Sequence, residues 1–132
     1  MSKESAIHVD FEFGSAQIFK NAVVMKMDEG VTVSVEHNKY LVDIKKKYFK
    51  NRPFGYISHR VHSYSVNPQV YKESSKIDTL IGFAMVSRKK IHITNSEVEQ
   101  LFLNKPLKVF DNLDDAIKWI DDLIANSPKC AN

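Results

Sequence analysis

The stretch Thr79-Leu80-Ile81-Gly82-Phe83-Ala84-Met85-Val86 is apolar at almost every position. A strand with one wet face alternates apolar and polar residues. A strand apolar on both sides needs cover on both faces, which parallel sheets obtain from the helices that connect their strands. The run is also too short to cross a bilayer, which takes about 20 residues. It therefore predicts a central parallel strand in a layered α/β domain.

The rest of the chain reads consistently with that core. Segment 6–13 places Ile7, Val9, Phe11 and Phe13 on one side and His8, Asp10 and Glu12 on the other. This is the period-two pattern of a half-buried strand, and Gly14-Ser15 is expected to break it. Gln17-Ile18-Phe19 leads through Lys20-Asn21 into Ala22-Val23-Val24-Met25-Lys26-Met27, which predicts a hairpin closed by Asp28-Glu29-Gly30. Thr32 and Ser34 are candidate caps for a helix whose face is His37, Leu41, Ile44 and Tyr48. Lys45, Lys46 and Lys47 fall mostly off that face, and Arg52-Pro53 ends the helical region.

Residues 54–61 predict the next strand, and Asn67-Pro68 opens a short helix through Val70, Ser74 and Ile77. After the apolar run, Thr94 and Glu97 make a capping box ahead of Val98, Leu101 and Phe102. Leu107-Lys108-Val109-Phe110 is a short strand. Asp111 or Asn112 caps a last helix with its apolar side at Leu113, Ala116, Ile117, Ile120 and Ile124. The order predicts an α/β fold with a mixed, mostly parallel sheet of about five strands, an N-terminal antiparallel meander and about four helices. One domain over 1–126 is expected, with 127–132 a flexible tail.

Composition removes several function classes. The chain has 132 residues, 43% hydrophobic and 27% charged, with a net charge of +3. Its single cysteine, Cys130, allows no internal disulfide and suits a reducing compartment. The N-terminal Met1-Ser2-Lys3-Glu4-Ser5 has no apolar signal core. A cytoplasmic, non-transmembrane protein is expected. The basic runs Lys45-Lys46-Lys47 and Arg88-Lys89-Lys90 lack interleaved aromatics, so nucleic acid is not an expected partner.

Three stretches carry a family resemblance. They are residues 23–32, from Val23 to Thr32; residues 80–87, the central strand; and Val109-Phe110-Asp111-Asn112-Leu113-Asp114-Asp115-Ala116-Ile117-Lys118-Trp119-Ile120. With the element order, they make the chain resemble the SpoIIAA-like superfamily, which contains the STAS (anti-sigma-factor antagonist) domains and STAS/SEC14-like bacterial proteins. The likeness covers about residues 6–125. It implies a layered α/β fold and a role in protein–protein signalling or ligand sensing. STAS regulators carry a phosphorylatable serine in an Asp-Ser-Ser-Gly-like turn. The corresponding turn here reads Val61-His62-Ser63-Tyr64-Ser65-Val66-Asn67-Pro68, with no Asp before its serines and no Gly after them.

That turn, 58–67, is the richest polar segment. It follows a predicted strand and precedes a predicted helix, the position where open α/β sheets bind ligands. His59, Arg60, His62, Ser63, Ser65 and Asn67 are the candidate binding residues. Arg60 offers a forked cationic donor and the histidines offer charge-assisted bonds to an anion or carboxylate. Ser63 and Ser65 are candidate phosphorylation sites, since Arg60 and a helix start would stabilise a phosphate. The spacing of His59 and His62 matches no zinc motif, and no metal or cofactor is expected. No nucleophile elbow, P-loop or dinucleotide-binding glycine motif occurs, so no catalytic residue is assigned.

The reading is a non-catalytic regulatory or interaction domain with a protein partner. Its alternative is a carrier or sensor of a small apolar or lipid-like ligand, held among Phe49, Phe54, Tyr56, Tyr64, Tyr71, Phe83 and Phe102. The edge of the early antiparallel strands also leaves a homodimer open.

Overall fold

A computed structural model describes residues 7–33, 35–59, 65–66, 73, 76–87 and 106–126. Strands β1 (Ile7–Phe11), β2 (Gly14–Ile18) and β3 (Ala22–Met27) form the antiparallel meander. The first turn falls on Glu12-Phe13, two residues before the expected break. Gly14 instead begins β2, opposite Met27. Its φ is +157°, and a Cβ there would strike the backbone of Lys26 and Met27. Glycine is needed at that position because the next strand passes too close for any side chain.

After β3 comes a two-residue strand, β4 (Thr32–Val33), so Thr32 is not a helix cap. A 3₁₀ turn (Val35–His37) leads into α1 (Asn38–Ile44), which passes into a π-helical turn over Lys45–Phe49. The π turn corrects the expected face. It adds one residue to the helical repeat, so Phe49 follows Leu41 and Ile44 into the core and Tyr48 is left half-exposed. Lys50, with φ +55°, closes the turn by donating its N–H to the Lys45 carbonyl.

Strands β5 (Phe54–His59), β7 (Leu80–Val86) and β8 (Leu107–Phe110) follow, with a two-residue strand, β6 (Ser65–Val66), after β5. The main sheet has six strands in the order β1-β2-β3-β5-β7-β8. From β3 onward its pairings are parallel. The apolar run forms β7, covered on both faces and paired on both sides. It is fifth in the order of six, internal rather than central. The helices expected after Asn67 and Thr94 fall largely outside the described residues.

The last helix, α2 (Leu113–Ala125), is capped by Asn112, whose side chain accepts from the Asp115 N–H at 2.9 Å. The sheet thus has two cores. On one face Val23, Met25, Phe54, Phe83 and Met85 pack with Leu41, Ile44 and Phe49. On the other, Val24, Ile57, Ala84 and Val86 pack with Ala116, Ile117 and Ile120 of α2. Gly55 and Gly82 let α2 approach: a Cβ on Gly55 would collide with Ile120, and one on Gly82 would lie 2.8 Å from Leu123 Cδ1.

Candidate functional site

Parallel pairing brings the carboxyl ends of β3, β5 and β7 to one edge of the sheet. Met25 pairs with Ser58, and Ser58 and His59 pair with Met85 and Val86. One step further along the same register sets Lys26 beside His59. Side chains alternate across a strand. Val24 and Ile57 face α2, so Lys26 and His59 emerge on that face too.

The ladder extends outward, with Lys26 opposite Ser15 and Ser15 opposite Asp10. A polar row, Asp10-Ser15-Lys26-His59, therefore crosses four strands near the carboxyl edge. Asp10 and Lys26 are exposed, while Ser15 and His59 are half-buried. Helix α2 rests mainly on β5, β7 and β8.

Burial, and secondly the charge of Lys26, push the His59 pKa below its ordinary 6.5. At neutral pH the ring is therefore uncharged, with one nitrogen donating and one accepting. A neutral imidazole beside an ammonium group suits a carboxylate or another anion with its own hydrogen-bonding groups. Ser58 points to the opposite face and is buried, at 5% exposure.

The segments leaving β3 and β5 meet again beyond this edge. Strands β4 and β6 pair in parallel, Thr32 with Ser65 and Val33 with Val66. Of the sequence-derived candidates, His59 ends β5 and the backbone of Ser65 lies in β6, beside Thr32. Arg60, His62, Ser63 and Asn67 lie outside the described residues.

Two features of this edge escaped the sequence reading. Lys26 is one; its signal was a single charge in the otherwise apolar Ala22-Val23-Val24-Met25-Lys26-Met27. The other is an aromatic cluster on the α1 face. Phe11 and Phe13 stack at 5.2 Å, Tyr40 stands edge-on to both, and the His37 ring lies 4.5 Å from that of Phe13. Pairing between distant segments assembles it, so no local spacing shows it.

Of the aromatic residues proposed as a ligand pocket, Phe49, Phe54 and Phe83 are buried in the core. Tyr56 lies 6.1 Å from Phe83, ring to ring. Tyr64, Tyr71 and Phe102 lie outside the described residues. Among the described residues, no helix is long and apolar enough to cross a membrane.

No family model matches the chain, and no curated protein matches its sequence. Among solved structures, the fold is similar to that of an uncharacterised protein of the DUF3478 family from Shewanella loihica PV-4, which has a SpoIIAA-like fold. The two share 11% identity, with 87% of this chain and 91% of that chain covered and a TM-score of 0.51. The likeness shows the fold: this α/β domain has the SpoIIAA-like fold.

Proposed function

We propose that this SpoIIAA-like domain is a non-catalytic regulatory or interaction module of the STAS-like type, and that the 58–67 turn is its recognition surface. One observation supports this placement above the others. His59, half-buried on the α2 side of the sheet, ends an internal parallel strand beside Lys26. Ligands of open α/β sheets collect at that end of the strands.

In this reading Lys26 and Arg60 supply positive charge to an acidic group of a protein partner. His59, His62, Ser63, Ser65 and Asn67 supply hydrogen bonds. Phosphorylation of Ser63 or Ser65 would add a dianion to the turn and compete with the partner's acidic group for those cations. Residues of the opposite end of the sheet take no part.

The test is partner capture with the tagged full chain, using wild type, Arg60→Ala/His62→Ala and Lys26→Glu. Both variants are expected to lose the same captured proteins while folding normally by circular dichroism. Identical partner lists from all three proteins would contradict the placement.

A further inference from the structure

Strand β1 is an edge of the sheet, and its outer side pairs with no strand among the described residues. The direction of its backbone groups follows from two hydrogen bonds. The Phe19 N–H donates to the Ala22 carbonyl, and the Asp28 N–H donates to the Phe13 carbonyl, both at 2.8 Å. Odd-numbered residues of β2 therefore bond towards β3. Even-numbered ones, Gly14, Ala16 and Ile18, bond towards β1, where they face Phe11, Val9 and Ile7. Backbone polar groups alternate sides along a strand. Those of His8 and Asp10 thus point outward from the sheet.

Natural edges are blunted by charged side chains, lysine above all, by proline or by bulges, and Asp10 is the one carboxylate that β1 carries. The sequence Ile7-His8-Val9-Asp10-Phe11 has no lysine or proline, and its pairing with β2 runs without a bulge. The side chains of His8 and Asp10, which bond each other at 2.7 Å within the strand, are 56% and 78% exposed and can take further partners, and Ile7 is 45% exposed.

We infer that β1 docks antiparallel on β1 of a second copy of this chain, about a two-fold axis at Val9. A two-fold contact must complement itself, and this register does so. His8 falls opposite Asp10 of the other copy, twice, and each such pair exchanges two backbone hydrogen bonds. Val9 meets its own copy in a non-hydrogen-bonded pair on the apolar face. Ile7 comes to lie against Phe11. Shifting the axis to His8 sets histidine against histidine, and shifting it to Asp10 sets carboxylate against carboxylate. Carboxylates directly opposite are unfavourable, and the His8 axis forgoes the imidazole–carboxylate pairs, so the sequence selects the Val9 register. Two five-residue strands bury less than the ~1,200 Å² of a stable interface, so the association is weak and concentration-dependent.

Disulfide trapping tests it in the full chain with Cys130→Ser as background. Non-hydrogen-bonded partners have Cα atoms about 4.5 Å apart, within disulfide reach. Val9→Cys is expected to oxidise to a covalent dimer. Ile7→Cys, more exposed but about 13 Å from its copy along the strands, is expected to link several-fold less. Adding Asp10→Pro removes the outward N–H of residue 10 together with the carboxylate that pairs with His8, and adding His8→Asp opposes four carboxylates. Each should abolish the Val9→Cys link, and the exchanged pair His8→Asp/Asp10→His should restore it. Equal linking at positions 7 and 9, or linking of Val9→Cys unaffected by both Asp10→Pro and His8→Asp, would overturn the inference.

Discussion

At the amino end of the parallel strands, Phe49 and Phe54 stack 4.6 Å apart with no exposed surface. Asn21 there donates to Asp121 of α2 at 2.9 Å, and the Asn21 carbonyl accepts from Gly55 N–H at 2.9 Å. Arg52 reaches across to the Lys20 carbonyl at 3.1 Å. At the carboxyl end, Lys26 is exposed and His59 half-buried, and the segments beyond meet through the two-residue pairing of β4 with β6. Both ends join elements distant in sequence, but the amino end does so through fully buried rings, whereas the carboxyl end leaves Lys26 and His59 in reach of solvent. The comparison separates where the domain is held from where it can act: sites that must open to a partner are drawn from the less heavily packed parts of a fold.

The largest test of that division is at Phe54. Phe54→Ala removes a fully buried ring and should cost about 3–5 kcal/mol, read as a fall in the urea midpoint. Gly55→Ala forces a methyl group against Ile120 and should cost about 1–3 kcal/mol. Ile120→Val in the same chain should return part of that loss, whereas additive losses would mean that α2 does not sit on Gly55. At the carboxyl side, Asn112→Ala removes the cap of α2 and should cost about 1 kcal/mol.

His59 gives a smaller, pH-dependent effect. Its folded pKa lies below 6.5, because burial and then Lys26 disfavour the charged ring. As the pH falls through 6.5 the unfolded chain takes up a proton that the folded chain resists. Stability is therefore lost on acidification, and His59→Gln should flatten that loss as the pH falls through 6.5. An unchanged slope would place the imidazole in water. The smallest expected effect is that of Lys26→Gln. As an exposed residue it should move stability by no more than about 0.5 kcal/mol, while weakening partner capture.

Much of this frame was legible in the sequence, for identifiable reasons. The period-two pattern of 6–13, the almost unbroken apolar run 79–86 and the 3–4 spacing around Ile117 each report a burial demand made by neighbouring residues. What escaped depends on backbone detail or on distant pairing. The π turn that exchanges Tyr48 for Phe49 is invisible to a pattern that assumes a constant repeat. By composition Gly14 marks a break, whereas its role is to let β3 pass close by, and the turn falls on Glu12-Phe13 instead. For the site, His59 was legible as the polar end of a strand. Its neighbour Lys26 is 33 positions away along the chain and meets it only through the β3–β5 register.

Hydrogen exchange on the full chain, free and bound to the partner recovered by capture, tests the working-end account most directly. The account predicts new protection at residues 31–33, 57–59 and 65–66, with residues 19–21 and 50–54 unchanged. Protection confined to 19–21 and 50–54 would contradict it.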